Sequence, residues 1–367
     1  MTIAEDYQSA LNALLDEPVY GLSQSEKKTR LQSVFALLHQ HHSQHCTPYH
    51  NMFRQPVSHN TPLEQLPFMA VRLFKLFALK SVPDNDVVKC LMSSGTSGQV
   101  PSRIFLDSLT SRMQSKALVK ILQQFLGKQR LPMLIIDSPD VKGADGKLNA
   151  RAAGIQGLAM FGRDHTYALN PDMTLNSDAI SAFCQRYQDQ PVLVFGFTFM
   201  VWQHFVSALK TSGITVHLPH AHLFHSGGWK KLEAQKVSNE TFKQQLLAVA
   251  GISAVTNFYG MAEQVGSVFM ECEQGMLHAP VTAEVLIRNP YDLSLVKTGE
   301  CGLIQVLSTL PYSYPGYSIL TEDRGTVHGV DDCMCGRSGT YFTVQGRLPK
   351  VEVRGCSDTS SSMGSGA

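Results

Sequence analysis

The sequence predicts an α/β protein in which a doubly wound, mostly parallel sheet passes into a β-rich C-terminal part. Between residues 87 and 258, short apolar runs alternate with longer segments of helical periodicity, a pattern typical of βαβ units. Between residues 266 and 355, the runs are short and β-branched and are separated by Gly, Pro and Asp, as in antiparallel strands. The composition, with 43% hydrophobic and 17% charged residues, favours a folded core over disorder.

Two amphipathic helices open the chain, over residues 4–15 and 25–40, and residues 63–80 return to helical periodicity after a proline-marked loop. We expect residues 1–80 to form a helical segment that packs on the body of the protein. Four histidines near the end of the second helix are interpreted as a solvated helix end, with metal capture as the alternative: His39, His41, His42 and His45.

The other elements follow from the same two periodicities. In an α/β core of residues 81–265, strands are expected over 87–92, 102–106, 131–137, 191–195, 216–224 and 254–258, and helices over 109–125, 178–187, 196–209 and 241–250. In a β-rich subdomain of residues 266–355, strands are expected over 283–288, 302–308, 325–328, 341–344 and 351–353. Residues 356–367, which are rich in Ser and Gly, are expected to form a flexible tail.

Charge and hydropathy exclude several classes of function. The 31 Lys and Arg residues nearly balance the 30 Asp and Glu residues, which leaves no basic field to hold a nucleic acid. No stretch approaches the roughly 20 apolar residues of a membrane span, and the acidic N-terminus lacks a signal-peptide pattern. Eight cysteines are far from the density of a disulfide scaffold, so we expect reduced thiols in a cytoplasmic protein.

A stretch of small residues between the first two predicted core strands is the first candidate for binding. Its glycines allow tight turns that aim backbone N–H groups inward, and its hydroxyls are further donors for phosphate oxygens. No Gly-Lys-Ser/Thr sequence follows, so it is not a Walker loop. On its own the stretch is equally compatible with an ordinary flexible loop. Its members are Ser93, Ser94, Gly95, Thr96, Ser97 and Gly98.

Three downstream segments supply the other groups that nucleotide activation needs. Tyr259 and Gly260 stand at the end of a predicted strand, and Glu263 follows them closely. Asp323 precedes a turn, and Arg347 stands near the end of the fold. An aromatic face suits adenine, one carboxylate suits Mg²⁺ and another suits ribose hydroxyls. Taken alone, Glu263 could equally be a helix N-terminal residue and Asp323 a turn residue.

In this order, the segments SSGTSG, FYGMAE, TGECG, LTED and QGR resemble the adenylate-forming enzymes, the group of acyl-CoA synthetases and phenylacetate–CoA ligases. The resemblance runs over residues 87–355 and implies the large body of those enzymes. It implies that the loop of residues 93–98 holds the β- and γ-phosphates of ATP, that Tyr259 faces adenine and that Glu263 binds Mg²⁺. It also implies that Asp323 holds the ribose and that Arg347 approaches the ribose or a phosphate. The glycine loop beside the adenine would be the segment with Gly227 and Gly228.

The C-terminal end departs from those ligases. Their small mobile domain, which supplies a catalytic lysine and the CoA site, is expected to be absent. The ending Arg354-Gly355-Cys356-Ser357 is instead similar to the LuxE family, the acyl-protein synthetases of the bacterial fatty-acid reductase complex. This resemblance implies that Cys356 receives the acyl group, with Lys350 and Arg354 able to lower its pKa. The alternative is an incidental cysteine, and either Lys350 or a partner subunit would replace the missing lysine.

Four further residues form a candidate structural zinc site. A Cys₃His set is sufficient for a closed tetrahedral Zn²⁺ site, and phenylacetate-ligase-like proteins have a similar arrangement. The residues alone also fit unrelated reduced thiols and a surface histidine. The set comprises Cys272, His278, Cys333 and Cys335.

Three other groups are given structural interpretations. One histidine of a run near the glycine loop could be a general base, but satisfied or surface histidines are favoured: His217, His220, His222 and His225. An aromatic cluster could line an acyl pocket, but core packing is favoured: Phe197, Phe199, Met200 and Trp202. The remaining cysteines are interpreted as packing residues: Cys46, Cys90, Cys184 and Cys301.

The sequence therefore predicts an ATP-dependent acyl-protein synthetase. It would activate a long-chain fatty acid as acyl-AMP with release of pyrophosphate, and pass the acyl group through Cys356 to a partner such as an acyl reductase. One alternative is an acyl- or aryl-CoA ligase whose small domain is absent or supplied by another chain. Another is a nucleotide-binding scaffold without turnover. ATP, Mg²⁺ and a structural Zn²⁺ are the expected cofactors, with a homo-oligomer as a further option.

Overall fold

A twelve-stranded mixed sheet forms the centre of the computed structural model, which describes residues 2–92, 101–142 and 150–347. The strands are β1 (Met69–Ala70), β2 (Val87–Met92), β3 (Arg103–Asp107), β4 (Leu131–Ile135), β5 (Gly162–Tyr167), β6 (Val192–Phe197), β7 (Ala221–Ser226), β8 (Ala254–Tyr259), β9 (Phe269–Glu271), β10 (Leu277–His278), β11 (Ala283–Arg288), β12 (Cys301–Ser308), β13 (Ser318–Val330) and β14 (Thr340–Arg347). The strand order is β11-β12-β13-β14-β10-β9-β8-β7-β6-β4-β5, with β1 paired to β13, while β2 and β3 form a separate hairpin.

Ten helices in the described residues surround the sheet. They are α1 (Ile3–Asp16), α2 (Gln24–His45), α3 (Thr47–Met52), α4 (Leu73–Leu76), α5 (Ser108–Leu126), α6 (Ala150–Ala159), α7 (Ser177–Tyr187), α8 (Thr198–Met200), α9 (Ala208–Ser212) and α10 (Asn239–Ala250). A π-helical segment, Val201–Ser207, joins α8 to α9. Short 3₁₀ turns lie at Leu63–Gln65, Asp84–Asp86, Pro139–Lys142, Lys230–Gln235 and Ala262–Gln264.

The predicted change from parallel to antiparallel pairing occurs between β8 and β9. Strands β5, β4, β6, β7 and β8 are parallel, and the strands from β9 to β14 pair antiparallel with one another, with β9 also antiparallel to β8. Helices α7 and α10 pack on one face of the parallel half, and α5 and α6 pack on the other. The α/β, doubly wound class is therefore confirmed. The antiparallel strands continue the same sheet, and the division into segments stays a prediction.

Residues 63–80 do not form the predicted helix. The segment contains a 3₁₀ turn, strand β1 and the short helix α4. Leu66 is extended, with φ −60° and ψ 137°, because the ring of Pro67 disfavours a helical conformation at the residue before it. The chain then pairs through Met69 and Ala70 with β13 in parallel, a pairing that the periodicity did not predict.

The histidines of α2 are also not a solvated helix end, except for the exposed His45. His39, His41 and His42 are buried, because they face tyrosines rather than water. The ring of His41 stacks on Tyr312 with centroids 3.8 Å apart. His42 Nε2 donates to the Pro311 carbonyl at 3.2 Å, which leaves Nδ1 to accept from Ser81 Oγ at 2.8 Å.

Two smaller differences concern single elements. Strand β7 begins at Ala221 rather than at residue 216, since Pro219 has no N–H to donate to a neighbouring strand. Helix α6 and strand β5 were not predicted, because Gly154 and Gly157 weaken the helical signal.

We expect the buried histidines to make folding sensitive to acid. Burial, and then the neighbouring His45, lower the pKa of His41 to about 4, whereas the unfolded chain titrates near 6.5. The unfolded state therefore binds more protons between these values, so the stability present above pH 6.5 is lost as the pH falls towards 4.

His41→Phe tests this expectation, because phenylalanine preserves the stacking on Tyr312 but cannot take up a proton. We expect urea unfolding to give nearly the wild-type free energy at pH 7. At pH 5 the variant should lose about 2 kcal/mol less than the wild type, at about 1.4 kcal/mol per pH unit. An identical pH dependence in the two proteins would refute the assignment.

Candidate nucleotide site and candidate metal centre

The carboxyl ends of three parallel strands meet at one edge of the sheet. Phe197 of β6 is in register with Ser226 of β7, which is in register with Phe258 of β8. Open α/β sheets bind ligands in the crevice beyond such carboxyl ends. The loops that leave β7 and β8 carry two of the predicted binding segments, so the fold places both at this edge.

A tyrosine, a carboxylate and a guanidinium form a hydrogen-bonded group beside this edge. Tyr259 Oη donates to Asp323 Oδ2 at 2.8 Å, and Arg347 Nε donates to Asp323 Oδ1 at 3.2 Å. The antiparallel register of β13 and β14 pairs Asp323 directly with Arg347. The Asp323 backbone N–H also donates to Thr321 Oγ1 at 3.1 Å, which fixes the strand at this position.

The hydroxyl of Tyr259 remains a donor under all ordinary conditions. Burial, and then the negative charge of Asp323, hold the pKa of Tyr259 well above its usual value. Its ring lies near Phe269 and Phe342, with centroids 6.1 and 6.3 Å away. The carboxylate of Asp323 is therefore oriented from both sides, by a neutral hydroxyl and by a cation.

Glu263 lies in the 3₁₀ turn Ala262–Gln264 that follows β8. The residue is 6% exposed, and no described residue donates a hydrogen bond to its carboxylate. Acidic residues with so little exposure are usually paired with a cation or a metal ion. The position is therefore compatible with a bound cation.

The loop after β7 is anchored by hydrogen bonds at its first residues, and there is free space beside its second glycine, Gly228. Thr198 Oγ1 donates to the Ser226 carbonyl at 3.2 Å and lies 2.9 Å from His225 Nδ1. Gly227 has a φ of +84°, a left-handed conformation that side chains rarely adopt. A Cβ on Gly228 would meet no atom within 4 Å. The loop can therefore approach a ligand closely at this point.

The four predicted zinc ligands come together from three places in the chain. One follows β9, one lies in β10, and two lie in the connection between β13 and β14. Their ligand atoms all lie within 4.8 Å of one another. Cys272 Sγ lies 3.9 Å from Cys333 Sγ, and His278 Nε2 lies 3.4 Å from Cys335 Sγ. A tetrahedral Zn²⁺ with Zn–S bonds of about 2.3 Å separates two sulfurs by about 3.8 Å. The observed sulfur separation fits this geometry.

The surroundings of the cluster favour a thiolate at one position. Burial alone would raise the pKa of Cys335. Hydrogen bonds from the Arg337 backbone N–H and the Cys333 thiol have the larger, opposite effect, and the pKa of Cys335 is therefore lowered. Burial raises the pKa of Cys333 to about 12 and lowers the pKa of His278 to about 4. His278 is therefore a neutral imidazole, the form that binds metals.

The chain matches the family model described as "Acyl-protein synthetase, LuxE" over residues 8–363. It belongs to the LuxE acyl-protein synthetase family. Membership makes it a ligase of the acyl-adenylate-forming type, which confirms the function class predicted from the sequence. No curated protein sequence matches the chain. Among the described residues, no helix combines the length and apolar character required to cross a bilayer.

Solved structures of 2-hydroxyisobutyryl-CoA ligase share the fold of this LuxE-family chain. An open conformation in complex with 2-HIB-AMP and CoA is 16% identical, with a TM-score of 0.69 over 93% of this chain and 80% of the ligase. The ligase with 2-HIB-AMP and CoA in the thioesterification state is also 16% identical, with a TM-score of 0.67 over 91% of this chain and 70% of the ligase. The architecture predicted from the resemblance is therefore confirmed.

The structure brings some of the predicted site residues together. Tyr259, Asp323 and Arg347 are in direct contact, and Gly260 and Glu263 follow Tyr259 along the chain. Several predicted residues lie outside the described ranges: Ser93, Ser94, Gly95, Thr96, Ser97, Gly98, Lys350, Arg354, Cys356 and Ser357.

Sequence reasoning missed two features of the described residues. Cys90 is exposed on β2 rather than packed, because β2 is an edge strand of a two-stranded sheet. Tyr314, in the β12–β13 connection, hydrogen-bonds to the turn that carries Glu263, although the two residues are 51 positions apart in the sequence. No local pattern could have revealed that contact, since it depends on the tertiary fold.

Proposed function

We propose that this LuxE-family protein activates a long-chain fatty acid with ATP and transfers the acyl group to its own Cys356. A carboxylate oxygen of the fatty acid attacks the α-phosphorus of ATP, and the bond to pyrophosphate breaks. The Cys356 thiolate then attacks the acyl carbonyl, and AMP leaves with the bonding electrons. The observation that carries the first step is the Tyr259–Asp323–Arg347 group at the carboxyl ends of the parallel strands.

Two members of that group and the neighbouring glycine loop have roles that their surroundings support. Asp323 is held in place by two donors and presents its carboxylate to ribose hydroxyls. Arg347 is exposed beside Asp323 and would balance the charge of the α-phosphate, which increases in the transition state. Gly227 and Gly228 leave space for the adenine ring beside the loop.

Glu263 is the residue of the described chain that fits a Mg²⁺ ligand. It is 6% exposed, no described residue donates a hydrogen bond to its carboxylate, and a hard oxygen ligand is what Mg²⁺ prefers. When bound, Mg²⁺ would neutralise phosphate charge during adenylation. The loop of residues 93–98, which connects β2 to β3, is proposed as the second half of the phosphate site.

The acyl-transfer half of the proposal depends on residues outside the described ranges. A thiolate is a strong nucleophile towards an acyl adenylate, and Lys350 would favour the thiolate form of Cys356. The acyl-enzyme would then deliver its thioester to a partner protein, an acyl reductase being the expected class. A cytoplasmic location stays a prediction.

Carboxylate-dependent exchange of label between pyrophosphate and ATP tests the adenylation step. We expect exchange that requires Mg²⁺ and a fatty acid and that does not require CoA. A second candidate function, an acyl- or aryl-CoA ligase, is favoured by the fold shared with 2-hydroxyisobutyryl-CoA ligase. That function predicts thioester formation only when CoA is added. ATP binding without exchange for any carboxylate would instead indicate a nucleotide-binding scaffold.

We further propose that Cys272, His278, Cys333 and Cys335 bind one structural Zn²⁺, which ties the β13–β14 connection to β9 and β10. Metal analysis should find one equivalent of zinc in the native protein. Cys333→Ser should lose it, whereas Cys301→Ser should retain it, since Cys301 is a partly exposed thiol outside the cluster. Sub-stoichiometric zinc in the native protein would reject the site.

A further inference from the structure

The turn that carries Glu263 is very short, so its position depends on the groups that hold its backbone. It comprises only Ala262–Gln264, and its carbonyls are not part of a regular helix or strand. A buried carbonyl without a partner is costly, so most are paired in native proteins. The partners of this turn come from β12 and the β12–β13 connection, and α5 supports one of them.

Tyr314 supplies the contact to Glu263 itself. Tyr314 Oη donates to the Glu263 carbonyl oxygen at 2.9 Å, and Gln114 Nε2 of α5 donates to Tyr314 Oη at 3.3 Å. Tyr314 is fully buried, and burial raises its pKa far above the ordinary value. The hydroxyl is therefore a permanent donor, fixed in orientation by the amide behind it.

Gln264 holds the end of the same turn. Its Nε2 donates to two carbonyl oxygens, those of Val306 at 3.1 Å and Gly316 at 2.8 Å. The side chain is 1% exposed. One amide thus joins the turn to β12 and to the β12–β13 connection, so the turn cannot shift without breaking buried hydrogen bonds.

Two glycines show how closely these segments approach one another. A Cβ on Gly316 would lie 2.3 Å from the Tyr314 ring and 3.1 Å from the Glu263 carbonyl oxygen. A Cβ on Gly266, whose φ is +88°, would lie 2.7 Å from the Gln114 carbonyl oxygen. The packing around the turn therefore has no space for relaxation as long as these hydrogen bonds are made.

We propose that Tyr314, Gln114 and Gln264 are positioning residues that orient the Glu263 carboxylate for its cation. This inference rests on the proposed function, in which Glu263 binds Mg²⁺. Removing the Tyr314 hydroxyl leaves the Glu263 carbonyl without its donor, so the backbone of Glu263 loses a restraint and the carboxylate loses its fixed orientation. Supporting groups of this kind affect metal affinity although they do not touch the metal.

The test compares Tyr314→Phe with Tyr317→Phe in the full chain. Tyr317 is equally buried and lies on the same β12–β13 connection before β13, but its hydroxyl pairs with Tyr49 Oη at 2.8 Å and not with the turn. The readout is the Mg²⁺ concentration that half-saturates fatty-acid-dependent ATP–pyrophosphate exchange, and the Kd for Mn²⁺, measured by electron paramagnetic resonance with ATP and no fatty acid, must change in parallel. We expect Tyr314→Phe to raise the half-saturating Mg²⁺ concentration by about tenfold, with excess Mg²⁺ restoring part of the rate. Tyr317→Phe should leave it unchanged.

The possible outcomes separate this inference from the proposed function. Equal Mg²⁺ dependence in the two variants would overturn the positioning role while leaving adenylation intact. A wild-type protein without exchange would instead refute the proposed function. If Tyr314→Phe does not fold, Gln114→Met is the alternative variant, because it removes the amide that donates to Tyr314 Oη. It should also raise the Mg²⁺ concentration needed for half-saturation. An unchanged Mg²⁺ concentration in Gln114→Met would then overturn the inference.

Discussion

Lys27→Met is expected to lower the free energy of unfolding by about 3–5 kcal/mol, because it leaves Glu284 charged and buried without its cation. Lys27 Nζ lies 3.3 Å from Glu284 Oε2, and the two side chains are 1% and 0% exposed. Lys27 Nζ also donates to the Ala279 carbonyl at 3.2 Å. The pair joins helix α2 to the strands around β11, so its loss affects the packing of the N-terminal helices on the sheet.

An ion pair on the same helix provides the matched control for this prediction. Arg30 Nη1 pairs with Glu17 Oε1 at 2.5 Å, with side chains 41% and 29% exposed. Arg30→Met should cost less than about 1 kcal/mol, since exposed pairs contribute little. Urea unfolding monitored by circular dichroism measures both variants. Equal losses of unfolding free energy in the two variants would show that the burial of the Lys27–Glu284 pair does not determine its contribution to stability.

Glu263→Gln is expected to slow fatty-acid-dependent ATP–pyrophosphate exchange by about 100-fold or more, which corresponds to about 3 kcal/mol of transition-state stabilisation. The substitution removes the negative charge that holds the proposed Mg²⁺ and preserves the shape of the side chain. The amide can remain in the same buried turn, so we expect little change in stability. The effect should therefore appear in the exchange rate and in its Mg²⁺ dependence.

Glu322→Gln is the control for this second prediction. Glu322 is the neighbour of Asp323 in the LTED segment and pairs with Arg72 at the surface. It should retain nearly the wild-type exchange rate. Wild-type exchange in Glu263→Gln, or an equal loss in Glu322→Gln, would remove Glu263 from the metal site.

The sequence predicts the parallel half of the fold well because its signals there are local. Strands β6 and β8 are short apolar runs that each follow a clear helical pattern, and the structure places both within a few residues of the prediction. Residues 63–80 were mispredicted because apolar spacing indicated a helix that Pro67 prevents. The α2 histidines were mispredicted because burial depends on Tyr312, which is some 270 residues away.

The candidate sites show the same division between local and distant information. Cys333 and Cys335 are recognisable as a close pair, but their approach to His278 requires β10 to pair with β14. The roles of Tyr259 and Asp323 came from the resemblance, whereas their hydrogen bond joins residues 64 positions apart. The Lys27–Glu284 pair has no sequence signal, since Lys27 lies in a polar stretch that predicts an exposed face.

The most direct test of the central claim is to incubate the intact protein with ATP, Mg²⁺ and a labelled fatty acid in the absence of CoA. We expect stoichiometric, hydroxylamine-labile label on the wild-type chain. Cys356→Ser should carry none but should still form acyl-AMP. Label that persists on Cys356→Ser, or label that appears in the wild type only when CoA is present, would contradict transfer to this thiol.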